Sequence, residues 1–561
     1  MSRWHFLSLS IFTFAIAVTT GFVLIDGKDP EPDVDTTPAA VITHPLAGAT
    51  QTPAAPRLAQ LGLYVDLPDD LAARAHEEAQ ALAGEMGVLL VSSGTSDNAS
   101  IVVTGPGGDG PAEVPVVDRW VAVTSMWSQQ DKVALSPEMA LPLLLPSESR
   151  DVLEPLLGDI ALAPSVRWLP LAGIVGAVAS DITTVALMPI NTAQTHGGLR
   201  SLTIAGDGGR WLGLEDKPWI EERLVVRWAR EDLHDFAVRL AERIETPAPP
   251  LTTVAFTGDM MPGRCVYERQ RNLGDYTAAF AFVRDYLSAA DITVGSLDAS
   301  ISDAGAPFPC EPTFNLLGPP ESVDGLVAAG FDVITVATNH AKDCGSAGFG
   351  CSESIRDTLA YLRGAGIEPV GGGENLAEAR RPVVIERNGV RFAFLGYDDI
   401  APTFYGATET IPGTAPLSEE SLREDIAVAK TMADVVIVLP QWGVEYTPYP
   451  SDRQVYLGRV ALEAGATLVI GNHPHVVQGV EPGPGTFIAF ALGNFVFDQD
   501  WSIETLQGAV LEATFAGDRL LGVSLKPQRI VNMFQPSFVE PDEARVILDR
   551  MRDASEYVAG R

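Results

Sequence analysis

Beyond residue 235 the chain has three histidines, His340, His473 and His475, set in Thr338-Asn339-His340 and Gly471-Asn472-His473-Pro474-His475. Two earlier apolar runs end on a carboxylate, Thr257-Gly258-Asp259 and Ser296-Leu297-Asp298. Carboxylate oxygen, amide oxygen and imidazole nitrogen together form a donor mixture that Mn, Fe or Zn accepts. If the four motifs converge, the C-terminal half holds one or more divalent metal ions. Each residue also has a structural reading. Asp259 and Asp298 could cap helices, Asn339 could shape a turn, and His340 could be a hydrogen-bonded core histidine. The His473-Pro474-His475 unit is harder to explain by packing alone.

Such side chains need a frame that brings distant segments to one place. From 252 onward, short apolar runs alternate with amphipathic ones. Their periods predict strands at 252–258, 292–297, 332–337, 434–439, 467–471 and 487–492, and helices at 276–289, 320–329, 353–365, 418–432 and 452–464. Val383 to Gly396 reads as a hairpin turning at Asn388-Gly389, and Ala509 to Phe515 with Leu520 to Lys526 as another around Gly517-Asp518. The pattern predicts an α/β core with helices on both faces and antiparallel additions. The motifs fall at the carboxyl ends of its strands, where such sheets bind ligands.

Residues 59–247 carry a second, smaller α/β pattern. A helix is predicted over Pro68 to Met86, strands at Val88 to Val91, Ile101 to Thr104 and Trp120 to Thr124, and a helix over Ile220 to Arg243. Val152 to Leu157 reads as a turn around Pro155. Trp168 to Met188 reads as a buried helix and strand. In their strands and turns, Val185 to Ile190 and Leu199 to Gly206 resemble part of a periplasmic-binding-protein-like lobe, which implies either solute capture or a spacer. Thr246-Pro247-Ala248-Pro249-Pro250 marks a boundary that no helix crosses.

At 561 residues the chain exceeds a single core, and 46% apolar with 20% charged residues describes folded domains. A formal charge of −35 without clustered Lys or Arg excludes nucleic acid as a partner. Phe6 to Ile25 carries no charge, follows Arg3 and precedes Asp26. That length spans a hydrocarbon core, and the segment lacks an A-x-A-like end. It predicts a single-pass signal anchor in the cell membrane over 1–26, a Pro/Ala-rich linker over 27–58, and an extracytoplasmic remainder. The remainder divides into domains at 59–247 and 251–535 and a helical tail at 536–561. Cys265, Cys310, Cys344 and Cys351 permit one or two disulfides, with Cys344 and Cys351 able to close a short loop, or remain buried thiols. The absence of a Walker loop assigns any ATP-driven ligation to another chain.

Over residues 252–500 an ordered series runs through Gly258-Asp259-Met260-Met261-Pro262-Gly263-Arg264, Ala337-Thr338-Asn339-His340-Ala341 to Asp343-Cys344-Gly345, Gln441-Trp442-Gly443-Val444-Glu445-Tyr446, Gly471-Asn472-His473-Pro474-His475 and Leu492-Gly493-Asn494-Phe495. It resembles the CapA family of capsule-synthesis proteins, relatives of the calcineurin-like metallophosphoesterases. The resemblance implies a metallophosphoesterase-like domain acting in capsule or poly-γ-glutamate synthesis or export, within a membrane complex, on an anionic polymer or a phosphate-containing substrate. Asp259, Asp298, Asn339, Gln441, His473 and His475 then match metal ligands, and His340 matches a general acid. Arg264 would either clamp a substrate phosphate or carboxylate or form a salt bridge. Asn494 stands where it could brace the site.

Three departures accompany the match. Asp298 replaces the usual Glu, Met261 occupies the place of a phosphoesterase His, and Gln441 replaces the His of a His-Trp-Gly motif. An amide is a poorer metal donor than imidazole, so a full two-ion centre is not expected. The functional expectations are a metal-dependent hydrolase, a non-catalytic polymer-handling subunit that keeps the fold, or an extracytoplasmic solute-binding protein.

Overall fold

The computed structural model describes residues 60–561 except 67–68, 87, 95, 97–98, 100, 105–112, 206–218, 230 and 245–248. The predicted anchor and linker therefore lie outside the described residues. Among those described, no helix is long and apolar enough to cross a membrane. Leu58 to Arg561 form one unit.

Besides two short two-stranded sheets, the chain from residue 251 builds two large ones. One runs, edge to edge, through Glu368–Val370, Val333–Thr335, Ile292–Leu297, Leu251–Met260, Gln507–Ala516, Arg519–Val531 and Gln535–Phe538, with Asn494–Val496 also paired to Leu251–Met260. The other runs through Val383–Arg387, Val390–Asp398, Val435–Gln441, Leu468–Ile470, Thr486–Ala489 and Val480–Gly483. In the first sheet the four strands from Glu368–Val370 to Leu251–Met260 are parallel, and the pairings from Leu251–Met260 through Gln507–Ala516 to Gln535–Phe538 are antiparallel. In the second the inner pairings are parallel and the two marginal ones antiparallel. At Asn388-Gly389 both residues have positive φ, 52° and 80°, as the predicted turn requires.

The inner faces meet in an apolar layer that includes Val254, Phe256, Ile292 and Val294 from the first sheet and Phe392, Phe394, Val435 and Ile437 from the second. Helices Ser322–Ala328 and Ser352–Gly364 cover the outer face of the first sheet, burying Leu326, Ile355, Leu359 and Leu362. Glu419–Met432 and Asp452–Ala464 cover the second, burying Leu422, Ile426, Val455 and Val460. The architecture is thus four layers, with paired helices on the outer face of each sheet. The expected core with helices on both faces is divided in two, because β-rich inner faces bury each other. The closing helix Pro541–Ala559 places Ile547, Leu548 and Met551 in the layer between the sheets.

Three local expectations change. The helix predicted at 276–289 is a 3-10 turn at Ala278–Phe280 and a single turn at Arg284–Leu287. Phe280, Val283 and Leu287 reach the core from this broken segment, so burial there needs no continuous helix. Trp219–Trp228 is a strand and only His234–Ile244 is helical. The strand lies between Glu113–Ser125 and Ile101–Thr104, a non-local pairing that overrides its helix-compatible spacing. Arg150–Leu157 is a helix despite Pro155. A proline within a helix costs about 3 kcal/mol, and burying Leu153 and Leu157 offsets this at roughly 1.5–3 kcal/mol each.

The N-terminal region forms a nine-stranded mixed sheet. It packs on the Gln507–Ala516 and Arg519–Val531 hairpin. Ala516 and Leu521 share an apolar cluster with Val121, Met188 and Leu199, Gln194 Nε2 donates to the Ala516 carbonyl (3.2 Å), and Gln129 Nε2 donates to that of Leu525 (3.0 Å).

Candidate metal centre

Asp259 lies at the end of Leu251–Met260, Asp298 follows Ile292–Leu297, and the Asn339-His340 turn follows Val333–Thr335. These come from the first sheet. Gln441 ends Val435–Gln441, and His473 and His475 follow Leu468–Ile470 in the second. The two sheets bring their carboxyl edges together at one end of the sandwich. There the His473 amide donates to Asp259 Oδ2 (3.0 Å) and Gln441 Nε2 donates to Asp298 Oδ1 (3.1 Å). Asp259, Asp298, Gln441, His473 and His475 are all buried.

The orientation of His475 follows from a chain of obligations. Asn494 Nδ2 donates to Gln499 Oε1 and to the Thr505 carbonyl, both at 2.9 Å, so Asn494 Oδ1 faces His475 Nδ1 at 2.9 Å. An amide oxygen can only accept, so Nδ1 must carry the proton and Nε2 must present its lone pair. That lone pair lies 3.9 Å from Asp298 Oδ2, a buried oxygen with no hydrogen-bond partner. Two acceptors therefore face each other. Buried Asn339 Oδ1, Gln441 Oε1, Asn472 Oδ1 and His473 Nδ1 are also unpartnered. Unpaired buried acceptors are costly and call for a positive partner.

The electrostatics agree with that need. Burial first, and then the charge of Asp298, push the Asp259 carboxyl well above the usual range. Burial pushes Asp298 up to about 6, with His340 opposing and Glu445 and Asp343 adding to the rise. Burial drives His473 down to about 3 and His475 well down, keeping both imidazoles neutral. His340 differs from them. Burial pulls it down, but the charge of Asp298 and the hydrogen bond to Asp343 outweigh burial and hold it above its ordinary value. Its Nδ1 is 2.6 Å from Asp343 Oδ2, which also accepts from the Leu316 amide (2.7 Å).

Of seven non-glycine residues with positive φ among the described residues, four lie at this place. His473 and His475 have φ of 101° and 60°, and Arg264 and Tyr446 beside them are also positive, at 46° and 59°. Non-glycine residues held in this region cost about 1–3 kcal/mol each and concentrate at functional sites.

Arg264 takes the salt-bridge reading. Its Nε donates to Asp498 Oδ2 (3.2 Å), a terminal nitrogen meets Asp498 Oδ1, and the other donates to the Thr313 carbonyl (2.8 Å). A guanidinium so committed positions a loop. Both disulfide pairs form, Cys265–Cys310 and Cys344–Cys351, next to Arg264 and Asp343 respectively. Asn339 Oδ1 is buried and unpartnered, and among the described residues no hydrogen bond ties the Asn339 side chain to the other candidates. Asn472 and Asp343 stood in the sequence motifs without an assigned part. Their signal was adjacency to His473 and a three-residue offset from His340.

Among the described residues, no three His, Cys, Asp or Glu side chains would hold an ion by themselves in these positions. Asp259 Oδ1 accepts from Ser296 Oγ (3.1 Å) and Oδ2 from the His473 amide (3.0 Å), which leaves each oxygen a lone pair. The donor set fits a divalent cation only with its amide oxygens counted, as a hard or borderline ion permits.

The family model for the bacterial capsule synthesis protein PGA_cap matches residues 253–499, the segment that carries every one of these residues. The PGA biosynthesis protein CapA of Bacillus subtilis (strain 168) is 33% identical over 273 residues, spanning 48% of this chain and 70% of that protein. The chain belongs to this capsule-synthesis family. The capsule biosynthesis protein CapA of Bacillus anthracis is 34% identical over 257 residues, 45% of this chain and 61% of that one. Among solved structures, a 5'-nucleotidase precursor from Thermus thermophilus aligns with a TM-score of 0.31 at 15% identity, over 55% of this chain and 59% of its own. A likeness of that size says nothing about the chemistry here. The shared family places the candidate centre inside the segment its members have in common.

Proposed function

We propose that this family member is a metal-dependent hydrolase of capsule or poly-γ-glutamate production, held at the outer face of the cell membrane by its apolar Phe6 to Ile25 segment. The observation that carries the reading is the pair of facing acceptors, His475 Nε2 and Asp298 Oδ2, 3.9 Å apart and buried, in motifs that also carry the unpartnered amide oxygens of Asn339, Gln441 and Asn472 and the unpartnered His473 Nδ1. Asp259, Asp298, His473, His475 and the amide oxygens of Asn339, Gln441 and Asn472 would hold the ion. A bound divalent ion supplies Lewis-acid polarisation of a phosphoryl or acyl oxygen. Asn494 keeps His475 in the tautomer with a free Nε2. Asp343 orients His340 and keeps it protonated, so that its remaining ring N–H can be delivered to a leaving oxygen.

Two measurements test this. His340→Gln is expected to lower turnover of an activated phosphodiester by about 100-fold or more while leaving bound metal, by elemental analysis, at the wild-type amount. Equal turnover in the variant would remove the general acid and favour a polymer-handling subunit. Second, Asp298 must be ionised to bind a cation, and its folded value is about 6. Protons therefore compete at Asp298 below that value and also at Asp259, whose carboxyl is raised too, so the thermal shift produced by Mn2+ over EDTA should be small at about pH 5 and grow as the pH climbs through 6. His473, lowered to about 3, stays neutral across this window and adds no slope. A shift that is flat in pH would contradict ligation by Asp298.

A further inference from the structure

Beside His475 stands a pair of aromatic side chains that the ion does not require. Tyr446 is 43% exposed and Trp501 61% exposed, whereas Trp442 and Phe495 of the neighbouring motifs are fully buried. The Tyr446 ring stacks on His475, with centroids 5.7 Å apart and planes at 28°. Trp501 meets Tyr446 edge-on at 5.7 Å and 75°.

This pair is built into the site. The Tyr446 hydroxyl accepts from buried Gln499 Nε2 (3.1 Å), whose own oxygen accepts from Asn494, the residue that orients His475. The Tyr446 backbone amide donates to the Pro474 carbonyl (2.8 Å), between the two candidate imidazole ligands. That bond and the positive φ of 59° at Tyr446 together fix where the ring stands. One hydrogen-bonded chain thus sets both the imidazole and the partly exposed Tyr446 ring next to it. The flank is acidic. Glu445 and Asp500 are exposed, and the charge of Glu445 reaches Asp298. The guanidinium on this side, Arg264, is committed to Asp498.

We propose that Tyr446 and Trp501 form a subsite for a neutral sugar ring at the mouth of the metal centre. The inference rests on the proposed metal centre only for where the reacting bond lies. The C–H face of a pyranose packs on an indole or phenol ring, and its hydroxyls find acceptors in Glu445 and Asp500. A polyanion would set like charge against those carboxylates, and a purely apolar group would desolvate them.

The test uses the full chain, a panel of neutral oligosaccharides built from glucose, galactose and N-acetylhexosamine units, a γ-linked glutamate tetramer and a nucleoside, with saturation-transfer NMR and titration as readouts. At least one neutral oligosaccharide should bind, about tenfold more weakly to Trp501→Ala and near wild-type strength to Trp501→Phe. Binding should persist at about 0.5 M NaCl, and metal content should be the same in all three proteins. The proposal is overturned if no neutral oligosaccharide binds, if binding ignores Trp501→Ala, or if only the glutamate tetramer or the nucleoside binds. Should the wild type hold no metal while sugar binding still falls in Trp501→Ala, the metal reading fails and the subsite stands. Metal held without sugar binding has the opposite meaning.

Discussion

Asp298→Asn is expected to lower the affinity for a divalent ion by about 100-fold or more and, in the metal-free protein at pH 7, to raise stability. The two effects share one cause. Asp298 has a folded value of about 6 against an ordinary 3.8. A carboxyl raised in the folded state contributes stability at low pH that is lost as the pH climbs from 3.8 through 6, so above that range the ionised group is a net cost. The substituted amide keeps an oxygen to accept from Gln441 Nε2 and gains N–H groups toward His475 Nε2, where an unpartnered oxygen now stands. The facing acceptors become donor and acceptor. Urea unfolding with EDTA should give a gain of about 1 kcal/mol, and elemental analysis should give little bound metal. A loss of metal-free stability, or unchanged metal content, would mean that Asp298 is structural.

Gly258→Ala is expected to cost more than about 3 kcal/mol or to prevent folding. A methyl there would lie 1.8 Å from the Gly493 carbonyl oxygen and 2.9 Å from its carbon. That carbonyl accepts from the Asp259 amide (3.0 Å) and so holds Asn494–Val496 beside Asp259. Neither backbone can retreat easily, because Gly493 is itself at φ 75° with the Gln507 carbonyl and the Val477 amide close behind it. The substitution therefore separates Asp259 from Asn494, the residue that orients His475. Gly176→Ala is the control. It lies in helix Leu171–Ser180 with nothing within 4 Å of the added methyl, and should be neutral or stabilising by up to about 1 kcal/mol. Equal denaturation midpoints for the two variants would refute the close-approach argument.

Local chemistry explains why some elements were legible. Helix Asp452–Ala464 starts on a capping box in which Ser451 and Gln454 satisfy each other's backbone amides, and ends on Gly465 at φ 111°, all within its own stretch of chain. The hairpin at Asn388-Gly389 is equally local. The segment 276–289 was not, because Phe280 and Leu287 satisfy the core from separate short turns. Nor was Trp219–Trp228, whose partners lie about a hundred residues upstream.

The candidate site divides along the same line. The sequence by itself determined which residue types end the strands, where the turns fall and which family the ordered motifs resemble, since motif order and hydrophobic period are one-dimensional. Only the tertiary structure decided that Arg264 belongs to Asp498, that Asn494 sets the tautomer of His475, and that Asp298 Oδ2 meets an imidazole lone pair without a proton to share. These are relations between side chains from separate segments of the chain, the last two across the two sheets, and they exist only once burial has removed the water that would otherwise satisfy each group alone.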